Sequence, residues 1–190
     1  LHVEPFALTY GKVYTFGPTF RAEKSNTVRH AAEFWMIEPE IAWAHLSDLC
    51  DIEEEFLKYV VSHTMVDCKD DLNFFAQFVD KGLMDRLNEF VNTPFARVKY
   101  EDAIKILQNA VKDGVKFDVS DIQFGLDLGS EHERYLTEKV FKGPIFLTDY
   151  PKDIKAFYMK QNDDGKTVGA LDLLVPYRGE LRRGSEREAD

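Results

Sequence analysis

Between Val13 and Trp43 two aromatic-rich apolar runs flank the short polar segment Lys24-Ser25-Asn26-Thr27-Val28. The runs also contain Arg21, Glu23, His30, Glu33 and Glu38, side chains that are costly to bury unpaired. Alternation in the first run puts Val13, Thr15, Gly17, Thr19, Arg21 and Glu23 on one strand face, and Tyr14, Phe16, Pro18 and Phe20 on the other. Arg21 and Glu23 are then neighbours at the mouth of a loop. A guanidinium fork beside a carboxylate, carried on a strand, is suited to holding an anionic group in one pose. A structural ion pair at a strand end is the plainer reading of the same two residues. Other patterns stop short of chemistry. Gly165-Lys166-Thr167 ends like a phosphate loop, but Lys160 stands where the first glycine is needed. His132-Glu133 begins like a zinc-protease helix, but position 136 is Leu, so Glu131, His132 and Glu133 read as capping and packing groups. His2, His45 and His63 lack metal-ligand spacing, and Glu53-Glu54-Glu55 reads as a solvated helix face.

Residues 12–23 and 31–38 read as two antiparallel strands joined by the polar loop and broken at Pro39, after an extended or short helical lead-in over 2–10. From Ile41 to about Val66 the period is helical, with an apolar stripe of Leu46, Leu49, Phe56 and Val60 and a candidate second start at Ser47-Asp48. Two or three further helical pieces occupy 70–113, with a stop at Asn92-Thr93-Pro94 and an end at Asp113-Gly114. The stretch from about 45 to 115 therefore reads as a helical insertion between sheet segments. Ser130 with Glu133 predicts a capping box for a helix reaching about Phe141. Strands are expected at 144–149, 155–161 and 167–175, the last two joined by a turn at Asp163-Asp164-Gly165-Lys166. Strands, then helices, then strands imply an α+β fold: an antiparallel sheet flanked by helices.

With 190 residues and 44% apolar content the chain can bury one good core. Its net charge of −10, with no basic cluster, argues against nucleic-acid binding by these residues themselves. No run of about 18 apolar residues predicts a membrane span, and no signal peptide is visible. Cys50 and Cys68 form no CxxC pair and read as core residues or free thiols of a reducing compartment. The chain begins at Leu1 in mid-pattern and stops in a charged string, which reads as an internal fragment.

Taken whole, Phe20-Arg21-Ala22-Glu23, a loop, and then Arg29-His30-x-x-Glu33-Phe34-Trp35-Met36-x-Glu38-Pro39-Glu40 resembles motif 2 of the class II aminoacyl-tRNA synthetases, in the form that acts on asparagine. The likeness continues through Asp127–Arg134, Lys155–Met159, Asp163–Val168 and Gly179–Glu188, so it covers almost the whole chain. The resemblance implies part of a catalytic domain over 1–190, with motif 2 at 13–43 and C-terminal strands at 144–187. It also implies an ATP-dependent ligase that is normally a cytoplasmic homodimer, joining asparagine to tRNA through an asparaginyl-adenylate with the help of Mg²⁺. By that resemblance Arg21 grips the α-phosphate and the reacting carboxylate, and Glu23 orients Arg21 and the adenine end of ATP. Arg29 and His30 reach the terminal phosphates, and adenine stacks on Phe34. Glu180 holds Mg²⁺, with Asp172 either a second acidic partner or a structural ion pair. Gly184 lets the backbone approach the amino acid, and Arg187 receives its side-chain oxygen. Glu4 is either the acceptor for the side-chain amide or an ordinary strand-end carboxylate.

Two positions depart from the family pattern Gly-Glu-x-x-Gly-Gly-Ser-x-Arg. Arg183 replaces the first glycine of the pair, and Glu186 stands where glutamine is common. A bulky cation at 183 would crowd Mg²⁺ or take over its charge role. Motif 1, which carries the dimer interface, and motif 3, with an ATP-binding arginine, are not among these residues. The piece alone is therefore expected to be inactive, with tRNA gripped mainly by regions absent from it. The alternatives are an aspartyl-type enzyme, which normally carries a lysine where Val3 stands, and a non-ligating synthetase-like binding module.

Overall fold

The computed structural model describes residues 2–22 and 31–188, so the loop and with it Glu23, Arg29 and His30 lie outside the described residues. It divides into two compact units, Leu1–Ala44 and His45–Asp190.

In the first unit the lead-in is the short helix α1 (Glu4–Tyr10), opened by Pro5 and closed by Gly11 at φ +79°, a conformation that favours glycine. The strands β1 (Lys12–Phe20) and β2 (Glu33–Ile41) then pair antiparallel, from Lys12 opposite Ile41 to Phe20 opposite Glu33. Pro39 does not break β2. The Ala42 N–H donates to the Gly11 carbonyl and the Arg21 N–H to the Ala32 carbonyl. Alternation between those bonded pairs makes Tyr14–Pro39 a non-bonded pair, so the missing proline N–H costs no ladder bond. Exposure alternates as the sequence predicts: Val13, Thr15, Gly17 and Thr19 are half-buried, while Tyr14, Phe16 and Phe20 are exposed.

The second unit is built on a four-stranded sheet in the order β3–β4–β5–β6, formed by β3 (Ala96–Lys99), β4 (Ile145–Pro151), β5 (Thr167–Val175) and β6 (Gly179–Ser185). Three of its strands are antiparallel, but β3, which the sequence reading passes over, pairs parallel with β4. No strand forms over 155–161, where the chain makes only isolated bridges, Met159–Arg187 and Gln161–Val168. All nine residues of β5 are buried, as suits a central strand. Because β5 is paired on both edges it cannot add to the β1–β2 hairpin, which forms a two-stranded sheet of its own.

Helices α2 (Leu46–Asp67), α3 (Lys69–Phe78), α4 (Leu83–Asn92) and α5 (Tyr100–Lys112) supply the helical region, which β3 interrupts. Tyr100, Ala103, Ile104, Leu107 and Ala110 recur at helical spacing on α5 and pack with Ile145, Leu147, Val168 and Leu174 on one sheet face. Phe146, Leu171, Leu173 and Val175 pack on the other with Leu46, Leu49, Cys50 and Leu57 of α2. The buried residues of α2 are thus Cys50 and Glu53, with Leu57 partly buried beside them, whereas Val60 is exposed. The start of α2 is capped by Asp48, whose Oδ2 accepts the His45 N–H at 2.9 Å.

Helix α6 (Ser130–Arg134) continues as a π-helix from Tyr135 to Val140. Ser130 is its first helical residue rather than its cap. The cap is Gly129, whose N–H donates to His132 Nδ1 at 3.2 Å, while His132 Nε2 lies 3.0 Å from the Val119 carbonyl. An accepting Nδ1 leaves the proton on Nε2, which satisfies both nitrogens of this buried ring.

Candidate functional site

In the first unit Arg21 and Phe34 come together. Arg21 follows β1 directly and its backbone bonds across to Ala32, so its side chain falls on the face that carries Phe34. The guanidinium carbon lies 5.2 Å from the centroid of the Phe34 ring, within cation–π range. On the same face the Thr15 hydroxyl donates to Glu38 Oε2 at 3.3 Å. An arginine beside a half-buried aromatic face can receive a flat base and an attached anion together. Glu4 opens α1 and is half-buried.

In the second unit β5 and β6 place Asp172 opposite Arg183 and Leu174 opposite Glu180. Asp172 is nine-tenths buried; Lys155 Nζ donates to its Oδ2 at 2.8 Å. Its Oδ1 accepts no hydrogen bond, and Arg183 Nε stands 3.9 Å away. The same arginine donates through Nη2 to Glu180 Oε2 at 2.5 Å. One guanidinium therefore bridges the two carboxylates. The acids beside it, Glu180 foremost, raise the Arg183 pKa. Burial, and next the Asp172 charge, raise the phenol of Tyr150 well above its ordinary value. The Glu180 N–H donates to Glu133 Oε2 of α6 at 3.3 Å, so Glu133 ties α6 to β6.

Among the described residues no group of three or more His, Cys, Asp and Glu side chains is placed to hold a metal. Mg²⁺, however, is commonly held by one or two carboxylates with phosphates and water supplying the rest. Asp172 and Glu180 fit that role, because the buried Oδ1 of Asp172 lacks a hydrogen bond and a cation already sits between the two side chains.

Gly184 lies under helix α2. A Cβ at this position would stand 2.6 Å from Leu49 Cδ2 and 3.2 Å from Glu53 Oε1, so helix packing alone already favours a glycine here, since any larger residue must push those side chains aside. Glu53 is the residue the sequence reading misplaces. Instead of facing water it is 4% exposed; Arg182 Nε lies 4.0 Å from its Oε1, and its Oε2 has no hydrogen bond. Burial pushes its carboxyl up to about 7, and Arg182 only partly opposes this. The run of three glutamates hides the distinction, and only its phase on the α2 stripe separates Glu53 from its neighbours.

The departure at 186 also has a local role. Glu186 Oε1 accepts from Lys160 Nζ at 2.7 Å and from His45 Nδ1 at 3.1 Å, and Oε2 accepts the Leu46 N–H at 3.2 Å. Burial pushes this carboxyl up, but those donors outweigh it and hold it below the ordinary range. A carboxylate at the first turn of α2 also suits the helix dipole. Arg187 lies over the Tyr158 ring at 4.6 Å and donates to Ser185 Oγ. Lys155 and Tyr158 are partners of Asp172 and Arg187 that no motif in the sequence singles out. Their signal was the Lys155–Met159 segment within the resemblance.

Residues 6–190 match the family model described as tRNA synthetases class II (D, K and N). An asparagine–tRNA ligase from Clostridium beijerinckii is 62% identical over 188 residues, which are 99% of this chain and 40% of that protein. Among solved structures, the asparaginyl-tRNA synthetase of Pyrococcus horikoshii complexed with asparaginyl-adenylate matches with a TM-score of 0.83 and 40% identity, covering 98% of this chain and 40% of that one. The asparaginyl-tRNA synthetase of Entamoeba histolytica, also in complex with asparaginyl-adenylate, matches with a TM-score of 0.81 and 28% identity over the same shares. The chain thus spans about two fifths of the length of these relatives. A family match over nearly every residue, on an α+β fold shared with those structures, places the chain in the class II tRNA synthetases of the D, K and N group.

Proposed function

We propose that these residues form part of the catalytic domain of an asparagine–tRNA ligase. The observation that carries this reading is the 62% identity to a ligase of that name along 99% of the chain. In the first step a carboxylate oxygen of asparagine attacks the α-phosphorus of ATP, and pyrophosphate leaves. In the second a ribose hydroxyl at the tRNA 3′ end attacks the acyl carbon, and AMP leaves. Neither step asks the protein for a nucleophile, so catalysis is alignment and neutralisation of charge.

In this reading Arg21 draws the α-phosphate and the asparagine carboxylate together and stabilises charge growing between them. Phe34 offers its ring to adenine, and the guanidinium now over that ring moves toward the phosphate. Glu23 steadies Arg21 and the adenine end, while Arg29 and His30 take the terminal phosphates. Arg187 donates to the side-chain oxygen of asparagine, Glu4 accepts from its amide, and Gly184 contributes backbone beside it. Asp172 and Glu180 hold Mg²⁺, which supplies divalent charge against the phosphates. The complete protein acts in the cytoplasm as a homodimer and takes tRNA through further regions. No helix among the described residues is long and apolar enough to cross a membrane.

The test is to mix the complete protein with ATP labelled at the α-phosphate, with asparagine and without tRNA. A protein-bound asparaginyl-adenylate is expected in stoichiometric amount. Its absence, with ATP still bound, would instead favour a synthetase-like binding module.

A further inference from the structure

Arg183 departs from the family pattern, and its geometry gives the departure a consequence. It stands opposite Asp172 in the β5–β6 register. It contacts Glu180 at 2.5 Å and Asp172 at 3.9 Å, on the oxygen of Asp172 that no hydrogen bond satisfies. The other Asp172 oxygen is engaged by Lys155. The Arg183 side chain is itself 70% exposed, so it can turn out into water without opening the core. An exposed monovalent cation between two carboxylates occupies the electrostatic position that a divalent ion would use.

We propose that Arg183 is an internal counter-cation for the Asp172–Glu180 pair, which excludes a free divalent ion and yields only to one arriving with nucleotide phosphates. The inference rests on the reading of those two carboxylates as metal ligands. A free ion entering the pair must displace the guanidinium and also meets its repulsion at short range. An ion that brings ATP carries negative charge with it, and the displaced guanidinium can follow that charge. The chain thereby makes metal binding depend on nucleotide, which a glycine at 183 would not do.

The test is direct binding of Mn²⁺ alone, without nucleotide, to the complete protein, read from the loss of the free-ion electron paramagnetic resonance signal. Arg183→Gly is expected to tighten Mn²⁺ binding about tenfold or more. Arg183→Gln, which keeps the bulk and the strand backbone but removes the charge, is expected to tighten it as well, and Arg183→Lys to stay near wild type. With ATP present the wild-type and glycine proteins are expected to converge. Folding of each variant is checked by thermal melting. Equal affinity in wild type, glycine and glutamine variants, or no detectable Mn²⁺ binding in either neutral variant, would overturn the proposal. Asparagine-dependent adenylate formation on the same samples separates the two readings. Adenylate formed without the affinity shift refutes the counter-cation alone. An affinity shift without any adenylate in the wild type refutes the ligase reading and leaves the counter-cation standing.

Discussion

Glu53 gives a stability prediction that depends only on the second unit. Its carboxyl is raised from 4.5 to about 7, chiefly by burial. For an acid with a raised folded pKa, the folded state keeps its proton where the unfolded chain has lost it. Stability is therefore fully present below the unfolded value, falls as pH rises from about 4.5 to about 7, and is level above that. Two and a half decades at about 1.4 kcal/mol each give about 3 to 4 kcal/mol, of which about 2 to 3 kcal/mol falls between about pH 5 and about pH 8. Glu53→Gln removes the titration and nearly keeps the shape. Urea unfolding of both proteins at the two pH values gives the difference. The variant is expected to gain about 2 to 3 kcal/mol on wild type between the lower and the higher pH. Comparing the variant with wild type removes the opposite slope of carboxylates held low, such as Glu186 beside Lys160 and His45. A stability difference that stays constant across that window would show that Glu53 is not a buried carboxyl titrating near neutrality.

Arg21→Ala in the complete protein is expected to lower adenylate formation by about 3–4 kcal/mol, roughly 100- to 1000-fold, with far less effect on ATP binding. Single-turnover kinetics with an independent ATP binding curve check this, and an effect confined to binding would make Arg21 a positioning group only. Glu4→Gln is expected to narrow the preference for asparagine over aspartate, because an amide can donate to the second carboxylate oxygen that Glu4 repels. Competing-substrate assays read the ratio, and an unchanged ratio would remove Glu4 as selector. Gly184→Ala is expected to cost about 1–3 kcal/mol of stability through its collision with Leu49 and Glu53. Part of that cost should be recovered in the double variant with Leu49→Ala, measured by denaturant unfolding.

The features legible in the sequence were those fixed by local pattern. The period-2 alternation from Val13 to Phe20 gave the faces of β1, and Thr167–Val175 announced β5 as a buried apolar run. What escaped was set by tertiary pairing. Four residues, Ala96–Lys99, are too few to show a period between two helices, so β3 was hidden beside Pro94. Pro39 suggests a break because sequence does not say which edge of a strand a missing N–H will face. Residues 155–161 have strand-like residues but find only single bridges, since β4 and β6 already occupy both edges of β5. At the site, Arg21, Phe34, Asp172 and Glu180 were named through the family likeness. The bridging by Arg183, the Lys155 contact and the burial of Glu53 depend on register and helix phase, which no short motif records.

Asparagine-dependent exchange of labelled pyrophosphate into ATP, catalysed by the complete protein, tests the central claim most directly. Exchange is expected with asparagine, far less with aspartate, and almost none after Arg21→Ala. Exchange that prefers aspartate would assign the chain to an aspartyl-type enzyme, and none with either amino acid in a folded, ATP-binding protein would contradict the ligase reading outright.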